Sequence, residues 1–590
     1  MVDVPAAEAI ACVTLLTVAV GARGVRIART PADFLVAARE VPPALNAAAI
    51  SGEYLSAASF LGIAGLVLAE GLGALWYAVG YAAGYLVLLL LVAAPLRRFG
   101  AYTIPDFAGG RLGSPVLSRA TTILVLIIGW FYLIPQMKGA GITLQLVLGT
   151  PYWVGVAVLG LVVSCNIAMG GMKGVTFVQS FQYWLKLCAI GIPALVLLGL
   201  AGRGAMQNFS PGDEVIFTHR TEVHIAEDLR FSAPRPARIF LTGTLDGRRM
   251  NHKDVLLRAG LHTVRAGADL TFNAGVRVPT RLSLVADNEP SWDSPFVAAG
   301  TDGAHPLVAT YGLILATFFG AIGLPHILVR FYTNRNGAAA RRTTLIVLLL
   351  LSMFYIFPAI LGTLSRLRAP QLYLTGQTDT VVLALPTLLL PGLPGELLAA
   401  LVAAGAFAAF LSTSSGLLVS VAGALSHDVL NGGVRTFRLC ALIAGAVATA
   451  MALPASRFAL GLLVGWAFAI AASSFCPLIV LGIWWRRLTW IGAFTGLVTG
   501  GGACCLAIAA TMLGAANKGW GAVLLGQPAI WTVPLAFGVM IVVSLTTPQQ
   551  VPGNVEQVLL RMHLPEALVR RTYRPVGRLP VHEPLDSGSK

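Results

Sequence analysis

Glu53 is an ionisable residue inside a long apolar run, where a charge is costly unless it has a partner or a function. It follows a run of small residues that ends in a Ser-Gly pair, Ala47-Ala48-Ala49-Ile50-Ser51-Gly52. We expect a helix to unwind here, which frees backbone carbonyls for a cation and amides for an anion. The alternative is a close helix contact through the small residues, with Glu53 hydrogen bonded to a neighbouring helix.

A second interruption is predicted at Gly320-Ala321-Ile322-Gly323-Leu324-Pro325-His326. Two glycines and a proline in the middle of an apolar run predict a broken helix. His326 stands next to that break, where an imidazole would face any ligand bound between the helix halves. The alternative is that His326 only donates a hydrogen bond to another helix.

Four hydroxyl residues interrupt a third apolar run, Ser412-Thr413-Ser414-Ser415. Hydroxyls and freed carbonyls are hard oxygen ligands that suit a sodium ion. The alternative is that the hydroxyls bond to carbonyls of their own helix. An unwound helix opposite this run favours the sodium interpretation.

Lys138 and Lys186 are the basic residues predicted to lie within apolar runs. Lys186 is seven residues beyond Gln179, so both share one helical face. Lys186 has three candidate roles. It would pair with Glu53, attract an anionic substrate, or take the place of a cation, which would make coupling proton-based or remove it.

The composition identifies the class of protein that must position these residues. Of 590 residues, 56% are apolar and only 11% are charged, and the mean hydropathy is +0.77. These values exclude a soluble globular enzyme and intrinsic disorder. The apolar residues fall into runs of about 20 residues, long enough to cross a bilayer as helices.

The sequence predicts thirteen membrane spans. They are 6–22, 43–69, 72–96, 116–148, 151–171, 174–202, 305–333, 343–365, 396–424, 435–453, 458–485, 490–513 and 529–547. The first has basic residues after it and none before it, which indicates a retained anchor and not a cleaved leader.

The basic residues predict the orientation of the chain. With the N-terminus outside, the cytoplasmic segments hold 23 of the 41 basic residues and the short external loops hold 4. This bias predicts a plasma-membrane protein with the N-terminus outside and the C-terminus in the cytoplasm. The net charge of +15 therefore belongs to the cytoplasmic face and needs no nucleic-acid partner.

The loop 203–304 is too long for a connector and predicts a small β-rich domain outside the membrane. Its β-prone stretches include 237–244 and 271–278. Its four histidines, His219, His224, His252 and His262, lack a tight ligand spacing, which favours surface histidines over a metal site. The seven cysteines all lie in predicted spans and are interpreted as packing residues.

The two interrupted spans each begin a set of five, the order expected of an inverted-repeat transporter. The predicted organisation is an extra helix and loop (1–42), a first repeat (43–202), the β-rich insertion (203–304), a second repeat (305–485), two further helices (486–547) and a basic, polar cytoplasmic tail (548–590).

Four separated motifs resemble the sodium:solute symporter family, in particular its acetate-permease branch. They are AISGEYLSAASFLGIAG (49–65), GLPHILVRFYT (323–333), GALSHDV (423–429) and AFAIAASSFCP (467–477). The resemblance covers most of 43–485 apart from the insertion. It implies an all-α polytopic membrane protein with the LeuT-like fold of two inverted five-helix repeats, which couples solute uptake to sodium entry.

The resemblance also implies a sodium site. Carried over to this sequence, it comprises the carbonyls of Ala47, Ile50 and Ala409 and the hydroxyls of Ser412 and Thr413. The Gly-Gly-Met-Lys turn at 170–173 is followed by Val178-Gln179, where many members of the family have a Thr-Asp pair. A second sodium site that uses this acid is therefore not expected.

The predicted function is sodium-coupled uptake of a short monocarboxylate such as acetate, propionate or pyruvate. The amides around Ser51 and Gly52, together with Glu53 and His326, are the predicted substrate contacts. Alternatives are a proton-coupled symporter, a symporter of the family for another solute such as proline or a sugar, and a transporter-like membrane sensor. No enzyme motif, organic cofactor or metal other than sodium is predicted, and a homo-oligomer or a small membrane partner is compatible with the sequence.

Overall fold

The computed structural model describes residues 3–27, 36–202, 216–217, 220–225, 229–265, 267–281, 295–296, 305–375, 377–430, 432–458, 460–514 and 519–565. Within this part of the chain, twelve helices are long and apolar enough to cross a membrane, and a bent helix pair makes thirteen. Each predicted span has a counterpart among them, so the all-helical polytopic prediction is confirmed.

The first part of the bundle contains a lone anchor helix and the first set of five spans. The anchor is α1 (Val4–Ile27), and the first span is the bent pair α2 (Pro43–Tyr54) and α3 (Ile63–Glu70), joined through a π-helical turn at Ala58–Gly62. Then come α4 (Leu75–Val87) and α5 (Ala93–Phe99), the short α6 (Ile104–Leu112) and α7 (Pro115–Leu148). The helix Tyr152–Gly202 is kinked at Gly171, where φ is 53°, and forms two spans, α8 (Tyr152–Met172) and α9 (Gly174–Leu200).

The second set of five begins with another broken span, α10 (Pro306–Gly323) and α11 (Pro325–Phe331). It continues with α12 (Gly337–Arg368), the short α13 (Pro370–Thr375) and α14 (Val381–Leu389), α15 (Leu393–Gly423), α16 (Val434–Ala452) and α17 (Leu460–Trp484). After it follow α18 (Trp490–Met512), α19 (Gly519–Gly526), α20 (Ala529–Thr546) and α21 (Val555–His563).

Composition explains which helices occupy the centre. The most apolar windows of α15 and α17 are 83% and 89% buried, whereas that of α1 is 28% buried. Alanine, glycine and serine are 16 of the 31 residues of α15 and 9 of the 25 residues of α17, and such small residues let neighbouring backbones approach closely in a membrane. α15 packs against α7 and α9, and α17 packs against α10. The two broken spans therefore meet rigid, closely packed helices.

Part of the long insertion folds into a seven-stranded antiparallel sheet, which confirms the predicted β-rich domain. Its strands are β1 (Thr221–Ile225), β2 (Leu229–Ala233), β3 (Ala237–Leu245), β4 (Arg248–Leu257), β5 (Gly260–Val264), β6 (Ala268–Phe272) and β7 (Thr280–Arg281). The order is β1-β6-β3-β5-β2-β7, with β4 paired to β3. The predicted stretch 237–244 lies in β3, whereas of the stretch 271–278 only 271–272 is strand.

The domain core includes Leu374 of α13, which anchors the sheet to the membrane bundle. His262 bonds to Asp246 at 2.7 Å and to the carbonyl of Arg258 at 2.8 Å, as a surface histidine does. His219 lies outside the described residues. All seven cysteines are unpaired.

Candidate ion and substrate site

The first broken span changes direction by 68° between its two halves. α2 ends at Tyr54, and Leu55 leaves the helical conformation with φ −73° and ψ 86°. The break was therefore predicted in the correct span but at the wrong residues, because 47–53 are helical. The small residues 47–52 keep their helical hydrogen bonds. The helix ends before Ala57, whose backbone N–H donates a hydrogen bond to the side-chain oxygen of Gln136 of α7 at 2.8 Å.

The opened backbone faces the hydroxyl run of α15. The hydroxyl oxygen of Ser412 lies 2.8 Å from the carbonyl oxygen of Gly52 and 3.0 Å from that of Ala409. The Thr413 hydroxyl donates to the carbonyl of Glu53 at 2.6 Å. Ser412 and Thr413 are fully buried at the break and do not face lipid.

Two of the predicted carbonyl ligands are not at this place. Ala47 and Ile50 lie inside the helix Pro43–Tyr54, whose carbonyls accept the amides four residues on. The carbonyls that converge near Ser412 are those of Gly52 and Leu55, each five residues later. The ion-binding roles of Ala47 and Ile50 stay a prediction, which the helical hydrogen bonds of their carbonyls do not favour.

Lys186 of α9 enters this cluster of oxygens. Its ammonium donates to the Ser412 hydroxyl at 2.6 Å, to the Leu55 carbonyl at 2.9 Å and to the Gly52 carbonyl. The side chain has no exposed surface. The Lys186 ammonium therefore holds the broken span and α15 together at the place predicted for a cation.

Glu53 pairs with Arg330, and not with Lys186 as one hypothesis held. Arg330 Nε lies 2.6 Å from the carboxylate of Glu53, and neither side chain has exposed surface. The guanidinium also donates to the Thr176 hydroxyl at 2.9 Å and to the side-chain carbonyl of Gln179. Gln179 in turn donates to the Ser412 carbonyl at 2.8 Å. One network thus joins both broken spans to α9 and α15.

Sequence reasoning missed Arg330 because it was counted with the cytoplasmic loop that follows. The signal was its position five residues after Pro325, on the short helix α11. A basic residue this close to a membrane break, with an unpaired acid predicted in another span, is a candidate partner for that acid.

The second break is at the predicted place. α10 ends at Gly323, Leu324 is extended with φ −70° and ψ 115°, and Pro325 begins α11. A Cβ atom on Gly323 would lie 2.3 Å from the carbonyl oxygen of Ala471, so glycine allows α10 to approach α17 closely here. Leu324 and Pro325 together turn the chain at this contact.

His326 follows the second break and is 1% exposed. Neither of its ring nitrogens has a hydrogen-bond partner among the described residues. The ring of Tyr132 packs edge-on against it, with 5.3 Å between the centroids. Burial of an imidazole without hydrogen bonds costs free energy, which indicates that a ligand or a water molecule supplies the missing hydrogen bonds.

His326 borders a cluster of buried aromatic rings between the two breaks. Centroid distances are 5.8 Å for Tyr132 and Phe468, 4.6 Å for Phe468 and Tyr81, and 4.9 Å for Tyr54 and Tyr85. The hydroxyls of Tyr81 and Tyr85 also have no hydrogen-bond partner among the described residues. The cluster thus offers hydrogen-bond donors among buried aromatic rings.

The predicted substrate contacts on α2 are placed differently. Ser51 and Gly52 lie inside the helix, so their amides are not the ones opened by the break. A Cβ atom on Gly52 would lie 2.3 Å from the carbonyl oxygen of Gln179, which shows that Gly52 packs against α9. Glu53 is held by Arg330. His326, the fourth predicted contact, packs against Tyr132 of the aromatic cluster.

Lys138 does not join the Lys186 cluster. Its ammonium lies 3.3 Å from the carboxylate of Asp379 and also donates to the carbonyl of Phe458. Both partners lie in short connections that precede α14 and α17. This ion pair fixes the bundle where α7 meets those connections.

Two broken helices within a bundle of apolar spans, with a buried set of oxygens beside the first break, are the arrangement typical of a secondary transporter. A sequence model of the sodium:solute symporter family matches residues 34–240 and 283–500. The chain belongs to this family.

The relatives agree with this class. An uncharacterized symporter of Cupriavidus necator is 30% identical, with 88% of each chain covered. A monocarboxylic acid transporter of Corynebacterium glutamicum is 27% identical over 86% of this chain and 84% of its own. A Na⁺-coupled sialic acid symporter in a substrate-bound, outward-open state has a TM-score of 0.59 at 12% identity, covering 91% of this chain and 98% of that one.

The likeness to the sialic acid symporter confirms the LeuT-like fold. The family and the fold neighbours are transporters and not enzymes. The protein is therefore a multi-span membrane protein that moves a small solute together with a coupling ion.

Proposed function

We propose that this chain carries a short monocarboxylate, such as acetate, propionate or pyruvate, into the cell by alternating access with a cation. The observation that carries the proposal is His326, a buried imidazole whose ring nitrogens have no hydrogen-bond partner in the described part of the chain, next to a helix break and beside an aromatic cluster. The Corynebacterium relative named as a monocarboxylic acid transporter supports the same class of substrate.

The side chains of His326 and the aromatic cluster favour a small anion with an apolar remainder. His326 and the hydroxyls of Tyr81 and Tyr85 supply hydrogen-bond donors that a carboxylate would accept. The faces of Tyr132 and Phe468 would pack against a methyl or ethyl group. His326, Tyr81 and Tyr132 are at most 2% exposed, so a substrate would reach them only when the bundle opens.

The coupling ion has two candidates. Sodium is the first candidate, because it is the ion in the family's name. Its proposed ligands are the oxygens of Gly52, Leu55, Ala409, Ser412 and Thr413. In this set, the carbonyls of Gly52 and Leu55 replace those of Ala47 and Ile50. A proton gradient is the second candidate, because an ammonium already lies among three of those oxygens. One cation carried with one monocarboxylate is electroneutral, so membrane potential alone should not drive uptake.

Uptake of radiolabelled acetate into proteoliposomes tests the proposal. We expect accumulation under an imposed sodium or proton gradient and competition by unlabelled propionate and pyruvate. Proline and galactose should not compete. Competition by proline or galactose, with none by propionate or pyruvate, would assign the chain to another solute of the family.

His326→Ala tests the substrate contact within the same assay. A hydrogen bond to a charged group contributes about 1.5–3 kcal/mol, so KM for acetate should rise by roughly 10-fold or more. His305→Ala is the matched control, because His305 stacks on Trp520 with 3.9 Å between centroids, away from the breaks. An equal KM in both variants would remove His326 from the site.

A further inference from the structure

The contacts of Lys186 are those of a bound cation. Its ammonium has three N–H donors, and each has an oxygen acceptor: the carbonyls of Gly52 and Leu55 and the hydroxyl of Ser412. The two carbonyls are open because the first broken span ends its helix at Tyr54.

The nearest acid, Glu53, is close enough to attract Lys186 but is not among the hydrogen-bond acceptors of its ammonium. The carboxylate of Glu53 is bound by Arg330 and is also approached by Gln179 at 3.4 Å. Lys186 therefore has oxygen dipoles as its hydrogen-bond partners and not a carboxylate. A buried ammonium is stable only where such a set of oxygens replaces its water.

The same oxygens would have to serve a sodium ion. The donor set suits sodium, since it consists of carbonyl and hydroxyl oxygens that bridge the break and α15. An ammonium and a sodium ion that share these ligands would be like charges a few ångströms apart, and burial strengthens their repulsion. The site therefore holds one cation at a time.

We propose that the Lys186 ammonium is a resident substitute for the sodium ion at this site, so that closure of the broken span onto α15 does not need sodium. This inference rests on the proposed function in that it concerns the coupling site of a symporter. It makes this chain a member of the sodium:solute symporter family whose principal cation site is filled by its own side chain.

The inference predicts a gain of function in a variant. Lys186→Ala removes the ammonium, leaves the oxygens of Gly52, Leu55 and Ser412, and opens room for an ion and water. Lys186→Met removes the charge but fills most of the same volume, and is the matched control. Sodium should bind to the alanine variant and not to the methionine variant.

The test is the apparent thermal unfolding midpoint of the purified full-length protein in detergent, titrated with sodium chloride against choline chloride at equal ionic strength. The wild type should show no sodium-specific shift. Lys186→Ala should start lower and rise with sodium to a plateau, and adding Ser412→Ala should abolish that rise. Binding of ²²Na⁺ to the same samples gives a second readout.

A sodium-specific rise in the wild type that disappears in Ser412→Ala would overturn the proposal, because sodium and not Lys186 would then occupy the site. A rise that survives Ser412→Ala reports a different sodium site and leaves the assignment standing. If Lys186→Ala does not fold, the wild type and Lys186→Met are compared instead. No sodium-specific rise in either supports the proposal, and a rise in the wild type that Ser412→Ala abolishes overturns it. Failure of acetate uptake would reject the proposed function without changing these binding results.

Discussion

Glu53 and Arg330 form an ion pair that is shielded from water on every side, with 2.6 Å between Nε and the carboxylate. Such a pair contributes little net stability compared with apolar residues, but removal of one partner leaves an uncompensated buried charge. Arg330 belongs to α11 and Glu53 to α2, so the pair connects the two broken spans. At the residue scale, this contact ties the two broken spans to each other.

Arg330→Met should lower the free energy of unfolding by about 3–5 kcal/mol, because Glu53 loses its partner without gaining water. Glu53→Gln combined with Arg330→Met should lose clearly less than Arg330→Met alone. The measurement is the apparent thermal midpoint of each full-length variant in detergent.

Arg238→Met is the control for that series. Arg238 is 75% exposed and lies 3.2 Å from Asp254 on the surface of the β-rich domain. Exposed pairs contribute about 0–1 kcal/mol, so this variant should unfold close to the wild-type midpoint. Similar midpoints for Arg238→Met and Arg330→Met would show that the buried pair does not hold the broken spans.

At the scale of elements, the second break depends on the close approach of α10 to α17. Gly323 of α10 faces the carbonyl of Ala471, and Gly320 one turn earlier faces the carbonyl of Phe468. Both contacts are with backbone atoms, which cannot rotate away as a side chain can. The path of the broken span is therefore fixed by the helix it packs against.

Gly323→Ala should separate the two helices, since its Cβ would lie 2.3 Å from a carbonyl oxygen. Overpacking of this kind costs about 1–3 kcal/mol, and the shift should also reduce acetate uptake by displacing His326. Gly502→Ala in α18 is the control, because nothing lies within 4 Å of its added Cβ. That variant should keep or slightly raise the unfolding midpoint; the idea fails if the two variants behave alike.

At the scale of the whole molecule, the β-rich domain and α21 should lie on opposite sides of the membrane. The domain lies between α9 and α10, and α21 follows the last span. The distribution of basic residues predicts that the domain lies outside and α21 in the cytoplasm. Two residues of that count, Arg111 and Arg330, are buried, but removing both from the 23 still leaves 21 basic residues in the cytoplasmic segments against 4 in the short external loops.

Cysteine labelling of intact cells measures this orientation. Leu261→Cys in β5 is 69% exposed and should react with a membrane-impermeant maleimide added outside. Leu560→Cys in α21 is 45% exposed and should react only after the cells are opened. The wild type, with seven unpaired cysteines, gives the background. Labelling of Leu560→Cys before Leu261→Cys would invert the predicted topology.

The sequence determined the features that depend on local composition. Thirteen apolar runs gave the spans, the Gly-Leu-Pro run at 323–325 gave the second break, and the β-prone stretches gave the inserted sheet, because each depends on its own residues and on the bilayer. The hydroxyls of Ser412 and Thr413 were expected opposite an opened helix and lie at the break, whereas their role as sodium ligands stays a prediction.

Only the tertiary structure decided which side chains meet. The first break lies at Leu55 because Gln136, Ser412 and Lys186, on three other helices, form hydrogen bonds with the backbone groups around it. These partners cannot be predicted from the residues of the stretch 47–53. The same holds for the partner of Glu53, which is 277 residues away in the sequence. In a bilayer, a freed backbone group needs a partner from the protein, so the packing of distant helices selects where a span opens and what fills the opening.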